Sequence, residues 1–292
     1  MTINELIESY YLEIESTLKP LSVAKMKNIV NLHILPFFNA RTLPFSVDQV
    51  NSWKLWILEK GFSDTYNRAI FVCLSTILNF GFRAFDIPNI MHRCKNFKKM
   101  RKSFQAKIYT LDEFLKFSSV ISNIEHKAFF SLLFYCGLRR GEALALTWDD
   151  VFTNRIVVNK TLTKGILGTP KTESSYRDVF IPEFIYELLE KLHQKSSRKF
   201  LFKLKETTID RLNRKYSTLA NLNRIRIHDF RHSHITYLMY QNFTLMAICQ
   251  RSGHKDKEMV LNRYSHLLSS EQVKISNKIE QDFESFIKKN NP

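Results

Sequence analysis

Two phrases near the end of the 292-residue chain carry side chains suited to a single reaction: His228-Asp229-Phe230-Arg231-His232-Ser233-His234, and Ser252-Gly253-His254 with Tyr264 ten residues further on. Arg139, in Gly137-Leu138-Arg139-Arg140-Gly141-Glu142, completes a set of two arginines, two histidines and one tyrosine. Guanidinium forks match the non-bridging oxygens of a phosphate. Imidazoles transfer protons near neutral pH, and a phenol can form a covalent phosphoryl intermediate. Such a set can break a phosphodiester without a metal. His228 and Arg231, three residues apart, share one face of a helix and could converge on one phosphate. His228, His232 and His234 lie close enough to suggest a metal site instead, but no carboxylate or thiolate at ligand spacing accompanies them, so none is assigned.

The elements that must position these groups are mostly helical. Ser46-Val47-Asp48-Gln49 has the form of a capping box, opening a run in which Val50, Trp53, Trp56 and Ile57 recur at helical spacing. Ser63 and Asp64 offer N-caps for the next run, through Ile70, Leu74, Ile77 and Phe80. Residues 1–92 thus read as a helical domain. Arg93, Lys95, Lys98, Lys99, Arg101, Lys102 and Lys107 then crowd a segment without an acid, which reads as an exposed linker over 93–109 with Lys98, Lys99, Arg101 and Lys102 as phosphate contacts. Thr110-Leu111-Asp112-Glu113, a second capping box, starts a further domain over 110–292. Within it, Arg155–Val158 and Tyr176–Ile181 are β-rich, with Gly165, Gly168 and Pro170 between them, and predict a small antiparallel sheet. An apolar helix containing Phe129–Phe134 should end at Gly137, one helix should cover Phe184–Leu192, and helical periodicity resumes from about residue 207 to the end.

A net charge of +16 with pI about 9.6 calls for a polyanionic partner. Cys73, Cys94, Cys136 and Cys249 form no CxxC pair and read as ordinary buried thiols. Met1-Thr2-Ile3-Asn4-Glu5 has no secretory pattern, and no apolar stretch is expected to reach membrane-spanning length, so the expected location is the cytoplasm, with no membrane partner.

In this order, the motifs closely resemble those of the tyrosine recombinase (phage integrase) family. The family's first catalytic arginine follows Gly-Leu with an acid three positions later, which Arg139 and Glu142 match. Its His-x-x-Arg-His motif, often followed by Ser or Thr, is complete from His228 to Ser233. Gly253-His254 matches its Leu-Gly-His element, with Ser252 in place of the leucine, a departure expected to weaken local packing slightly. Tyr264 stands as the nucleophile, and Thr169-Pro170-Lys171-Thr172 resembles the turn that carries the family's lysine, with Lys160 and Lys164 as alternatives to Lys171. The resemblance implies a mainly α protein: an N-terminal helical core-binding (SAM-like) domain, foreshadowed at Leu35-Pro36-Phe37-Phe38, and an α+β catalytic domain, closing as a clamp on duplex DNA.

It also implies a chemistry. Tyr264 attacks the scissile phosphate to give a 3′-phosphotyrosine; Arg139 and Arg231 stabilise its oxygens, and His254 hydrogen-bonds one of them. Lys171 protonates the leaving 5′ oxygen, His228 accepts the tyrosine proton and Glu142 orients Arg139. Neither ATP nor any other cofactor enters. The implied partners are double-stranded DNA attachment sites, a homotetramer assembled on them, and a directionality factor or host bending protein in a nucleoid-associated reaction of a bacterium or phage. An integrase of a mobile element is the first reading; an Xer-like resolvase or invertase is the enzymatic alternative, and a non-catalytic DNA-binding regulator the alternative of another class. The pattern starts too early in the chain for an arm-binding domain ahead of it. The apolar stripe Ile275, Ile279, Phe283, Phe286 and Ile287 resembles family tails that dock on a neighbouring subunit.

Overall fold

The computed structural model describes residues 1–98, 107–170, 173–195 and 198–253. They form two compact units, the division falling between 98 and 107.

The first unit is helical: α1 (Ile3–Thr17), α2 (Pro20–Ile29) continuing through a π turn at Val30–Ile34 into α3 (Leu35–Phe38), α4 (Val47–Glu59) and α5 (Asp64–Phe85). Hydroxyl caps start three of these. Thr2 and Ser46 make reciprocal capping boxes with Glu5 and Gln49, and the Ser63 hydroxyl accepts from the Tyr66 amide, satisfying N–H groups that a first helical turn leaves open. Val50, Trp53 and Ile57 of α4 point into the core as their spacing predicts, and the Trp53 indole donates to the His33 carbonyl at 2.7 Å. Trp53 is therefore a core residue.

Two expectations change here. One helix, α5, does have the length and composition of a membrane span, contrary to the sequence reading. Its Ile70, Phe71, Cys73, Leu74, Ile77 and Leu78 nevertheless pack into the unit's own core, which accounts for the apolar run. The packed part of this unit also runs beyond residue 92, because Cys94 and Phe97 are buried in the same core and Arg68 donates to the Phe97 carbonyl. Lys98 is exposed.

The second unit opens with Tyr109, whose amide donates to the Ser233 hydroxyl at 2.9 Å and whose own hydroxyl reaches Ser217 and the Asn223 carbonyl. The predicted capping box at Thr110 starts α6 (Leu111–Ser119), followed by α7 (Ile124–Tyr135) and the short α8 (Arg140–Ala145). Strand β1 (Arg155–Val158), β2 (Thr161–Thr163), β3 (Ile166–Gly168) and β4 (Arg177–Phe180) come next, then α9 (Glu183–His193), α10 (Glu206–Leu219), α11 (Ile227–Tyr240) and α12 (Leu245–Ser252). The predicted sheet is β1 against β4, antiparallel, with Arg155 opposite Phe180 and Val158 opposite Arg177. A separate hairpin, β2 with β3, turns through Lys164 and Gly165, both at positive φ (51° and 77°), as a two-residue turn of the primed kind requires.

The core of this unit is aromatic. Phe114 stacks on Phe134 with ring centroids 4.0 Å apart, and Phe117, Phe130 and Phe230 meet edge-on or tilted around them. Phe230 lies in the middle of the His228–His232 phrase, so the core itself fixes the rotation of α11. All four cysteines are buried free thiols, and burial pushes Cys73 and Cys136 up to about 12, where a thiol is inert.

Candidate active site

Three short segments converge in the second unit. The first is the corner between α7 and α8. Gly137, at φ +63°, ends α7, and a Cβ there would collide with the His234 ring. Glycine is needed both for the left-handed backbone and for the close approach. Arg139 then caps α8: its amide donates to Glu142 Oε2 at 2.9 Å and its Nη1 to Glu142 Oε1 at 2.6 Å. Arg140 turns away to pair with Glu206 at 2.9 Å. Gly141 lets the hairpin lie on α8, since a Cβ would come 2.8 Å from the Leu162 carbonyl oxygen.

The second segment is α11. Asp229 closes its N-terminus by accepting from the Arg226 amide and, in bidentate fashion, from the Arg226 guanidinium at 2.9 and 2.8 Å. Ser233 donates to the Asp229 carbonyl while accepting from Tyr109, which gives the hydroxyl in the His-x-x-Arg-His-Ser phrase a purpose. Arg231, 1% exposed, donates through Nη1 to the Gly137 carbonyl at 2.7 Å and through Nη2 to the Ser252 carbonyl. His228 is exposed on the first turn, its ring edge-on to that of His232 at 4.7 Å.

The third segment is the C-terminal end of α12. Gly253 adopts φ +65° as a left-handed cap. The carbonyls of three successive residues each accept from a different arginine: Arg251 from Arg177 Nε at 2.8 Å, Ser252 from Arg231, and Gly253 from Arg139 Nη2 at 2.8 Å. These carbonyls carry the negative end of the helix dipole, so cations are favoured there. Ser252, expected to loosen the packing in place of leucine, is fully buried with its hydroxyl donated to the Ile248 carbonyl at 2.6 Å.

The structure therefore brings together Arg139, Glu142 and Arg231, with His228 on the helix of Arg231. Lys171, His254 and Tyr264 lie outside the described residues, as do Lys99, Arg101, Lys102 and the residue 271–292 tail. Of the alternative lysines, Lys160 is held by Asp150 at 2.6 Å and by the Thr147 hydroxyl, while Lys164 sits at the hairpin turn with its amide on Glu206.

Sequence reasoning missed three groups. Arg177 was read only as a strand residue, yet its buried guanidinium grips both Glu142 oxygens. Burial pushes the Glu142 carboxyl up, but the hydrogen bonds and charge of Arg177, with the charges of Arg139 and Arg231, outweigh it and hold the carboxyl down at about 2. Arg251 reaches the Phe180 and Tyr135 carbonyls and His234 Nε2, tying α12 to β4, α7 and α11. Burial first, then the Arg251 and Arg231 charges, lower His234 to about 3; it is a neutral spacer, bonded also to the Phe134 backbone.

The sequence pattern of the Phage integrase family matches residues 82–271, well over half of the chain. The chain belongs to this family, the tyrosine recombinases, and is an enzyme that cuts and rejoins DNA. Among its relatives it is similar to the ICEBs1 integrase of Bacillus subtilis (strain 168), 29% identical over 94% of this chain and 82% of the relative. The integrase of Staphylococcus phage L54a is 30% identical over 50% of this chain and 49% of its own length. With such relatives, the chain is a site-specific recombinase of the kind mobile elements encode. The fold matches the Tn1549 transposon integrase, solved with a circular intermediate DNA (TM-score 0.75, 19% identity, 94% of this chain and 99% of that one). It also matches a lambda integrase dimer bound to a COC′ core site (TM-score 0.71, 15% identity, 90% and 95% covered).

Proposed function

We propose that this recombinase cleaves one strand of a double-stranded attachment site with Tyr264 as nucleophile, Arg139 and Arg231 holding the scissile phosphate. The observation that carries this reading is the meeting of the two guanidiniums, from the α7–α8 corner and from α11, on adjacent carbonyls immediately before residue 254. Two cations fixed on one spot suit the charge that spreads over the non-bridging oxygens of a phosphoryl transition state, where positioning and electrostatics supply most of the acceleration. His254, the next residue in the chain, hydrogen-bonds an oxygen of that phosphate. His228 takes the proton of Tyr264, and Lys171 delivers one to the leaving 5′ oxygen.

The covalent bond to Tyr264 conserves the phosphodiester energy until a second 5′ hydroxyl attacks it. Strand exchange then proceeds in a homotetramer on two DNAs, in the cytoplasm of a bacterial host, with a directionality factor or bending protein setting its sense. The helical residues 1–92 and the basic segment 93–109 add grip on the duplex. Similarity to the ICEBs1 and phage L54a integrases favours integration and excision of an element over dimer resolution. The test is covalent trapping on a nicked duplex that spans the junction of element and chromosome. Wild-type protein should give an adduct stable on a denaturing gel, whereas Tyr264→Phe should bind the duplex equally and give none. An adduct with the Phe variant would place the nucleophile elsewhere, with Tyr237 and Tyr240 of α11 next in line.

A further inference from the structure

Arg177 is 5% exposed, and four of the five N–H groups of its fork are placed on protein acceptors: Nε on the Arg251 carbonyl at 2.8 Å, Nη2 on Glu142 Oε2 at 2.9 Å, and Nη1 on Glu142 Oε1 at 3.2 Å and the Ser175 carbonyl at 3.1 Å. A guanidinium spent in this way is not placed to take a phosphate. What it does is join three segments. It stands at the start of β4, opposite Val158 in the sheet; it holds the carboxylate that holds Arg139; and it holds the end of α12 where Arg139 and Arg231 also donate. The approach is close: a Cβ on Gly253 would come within 3.0 Å of Arg177 Nη1 and 3.1 Å of the Ser174 carbonyl. Glu142 is thus shared between one arginine that is 34% exposed, Arg139, and one that is not, Arg177. Remove the second, and the carboxylate keeps only Arg139 in this set, through its amide and its side chain, with no tie to the sheet.

We propose that Arg177 is a positioning residue for strand cleavage, locking the Arg139–Glu142 corner and the end of α12 to the sheet so that the Arg139 fork faces the scissile phosphate. The proposal rests on the reading of Arg139 given above. Lysine cannot replace Arg177, because a single ammonium cannot span both Glu142 oxygens and reach the Arg251 carbonyl as well.

The test measures single-turnover cleavage at saturating nicked junction duplex, by full-length protein, on two linkages. One is the ordinary phosphate; the other is a methylphosphonate, in which a methyl group replaces one non-bridging oxygen and removes the charge. Arg139→Ala should cleave the phosphate on the order of 10²-fold more slowly, the usual scale for one lost charge-stabilising donor, and lose much less on the neutral linkage. If Arg177 works through Arg139, Arg177→Lys should show the same pattern, since about 1 Å of misplacement can cost on the order of 10²-fold, with binding of the duplex little changed. Wild-type cleavage of the phosphate by Arg177→Lys, or an equal loss on both linkages, would reduce Arg177 to a support of the fold. Should Arg139→Ala itself cleave at the wild-type rate, the reading of the site fails, and this inference with it. A second variant guards against simple unfolding: Arg177→Met with Glu142→Gln removes both buried charges together, which spares the fold the cost of leaving one unpaired. It should melt as the wild type does and still cleave slowly; recovery of cleavage along with stability would overturn the proposal.

Discussion

The two units bury different kinds of side chain. Among the described residues of the first, only His33 and Asn67 are buried polar groups in a core of Ile, Leu, Phe and Trp. The second buries Glu142, Asp150, Asp229, Arg231, His232 and His234 beside an equally aromatic core. Buried charge is costly unless paired, and a hydrophobic replacement of similar volume is often as stable. The contrast teaches that the second unit gives up stability to hold charges in its interior, while the interior of the first serves cohesion. Arg231 and Glu142 are held where water would otherwise be preferred, which suits the role proposed for Arg231, since a cation that need not reorganise stabilises a phosphoryl transition state best.

The comparison can be broken most severely at Arg231. Arg231→Ala should reduce single-turnover cleavage on the order of 10³-fold or more, at saturating DNA, because it removes a charged fork that is already desolvated. A loss under tenfold would mean that the buried charge serves the fold and not the chemistry. In the first unit the opposite is expected: Trp53→Ala should cost about 3–5 kcal/mol in denaturant unfolding by cavity formation and loss of the bond to His33, and leave cleavage by the folded fraction unaltered.

Acid should weaken both units, since burial lowers His33 in the first as well, but should act most strongly on the second. His234, lowered from 6.5 to about 3 in the folded chain, binds a proton more readily when unfolded. Its contribution is fully present above pH 6.5 and is lost as pH falls from there towards 3, by at most about 1.4 kcal/mol per pH unit. Glu142, lowered from 4.5 to about 2, adds a loss with the same sign below pH 4.5. Melting followed from pH 7.5 to 5 should therefore weaken in the second unit, and His234→Gln should flatten that slope; an unchanged slope would remove His234 as its source. The smallest effect concerns the basic segment. Neutralising Lys98, Lys99, Arg101 and Lys102 should weaken binding to all sequences alike and flatten the salt dependence by about one unit of slope per contact. An unaltered slope would mean that these three lysines and one arginine make no phosphate contact.

Much of this could be read from the sequence because the chemistry is concentrated in short windows. His228, Asp229, Arg231 and Ser233 fall within one helical phrase, and Arg139 with Glu142 in one corner, where spacing alone constrains geometry. The capping boxes at Ser46 and Thr110 were legible for the same reason. Arg177 was not. Its partners lie 35 and 74 residues away in the chain, and only tertiary packing brings them to it. The β2–β3 hairpin was visible only as turn signals, because its residues are exposed or half-buried throughout and show no alternation of buried and exposed positions. In α5, an apolar face long enough for a membrane turned out to serve a helical core.

In the proposed mechanism Arg139, Arg231 and Lys171 each address particular oxygens of the scissile phosphate, and one measurement tests this most directly. Lys171→Ala and Arg139→Ala are each assayed for single-turnover cleavage on the ordinary duplex and on one whose bridging 5′ oxygen at the cut is sulfur. An alkoxide needs a proton to leave and a thiolate does not, whereas charge on the non-bridging oxygens is the same concern in both. Lys171→Ala should cleave the oxygen substrate on the order of 10²-fold more slowly and regain most of that rate on sulfur, the scale expected for a lost general acid. Arg139→Ala should be slow on both. Rescue of both variants alike, or of neither, would contradict this division of labour and return Lys164 and Lys160 to consideration as the acid.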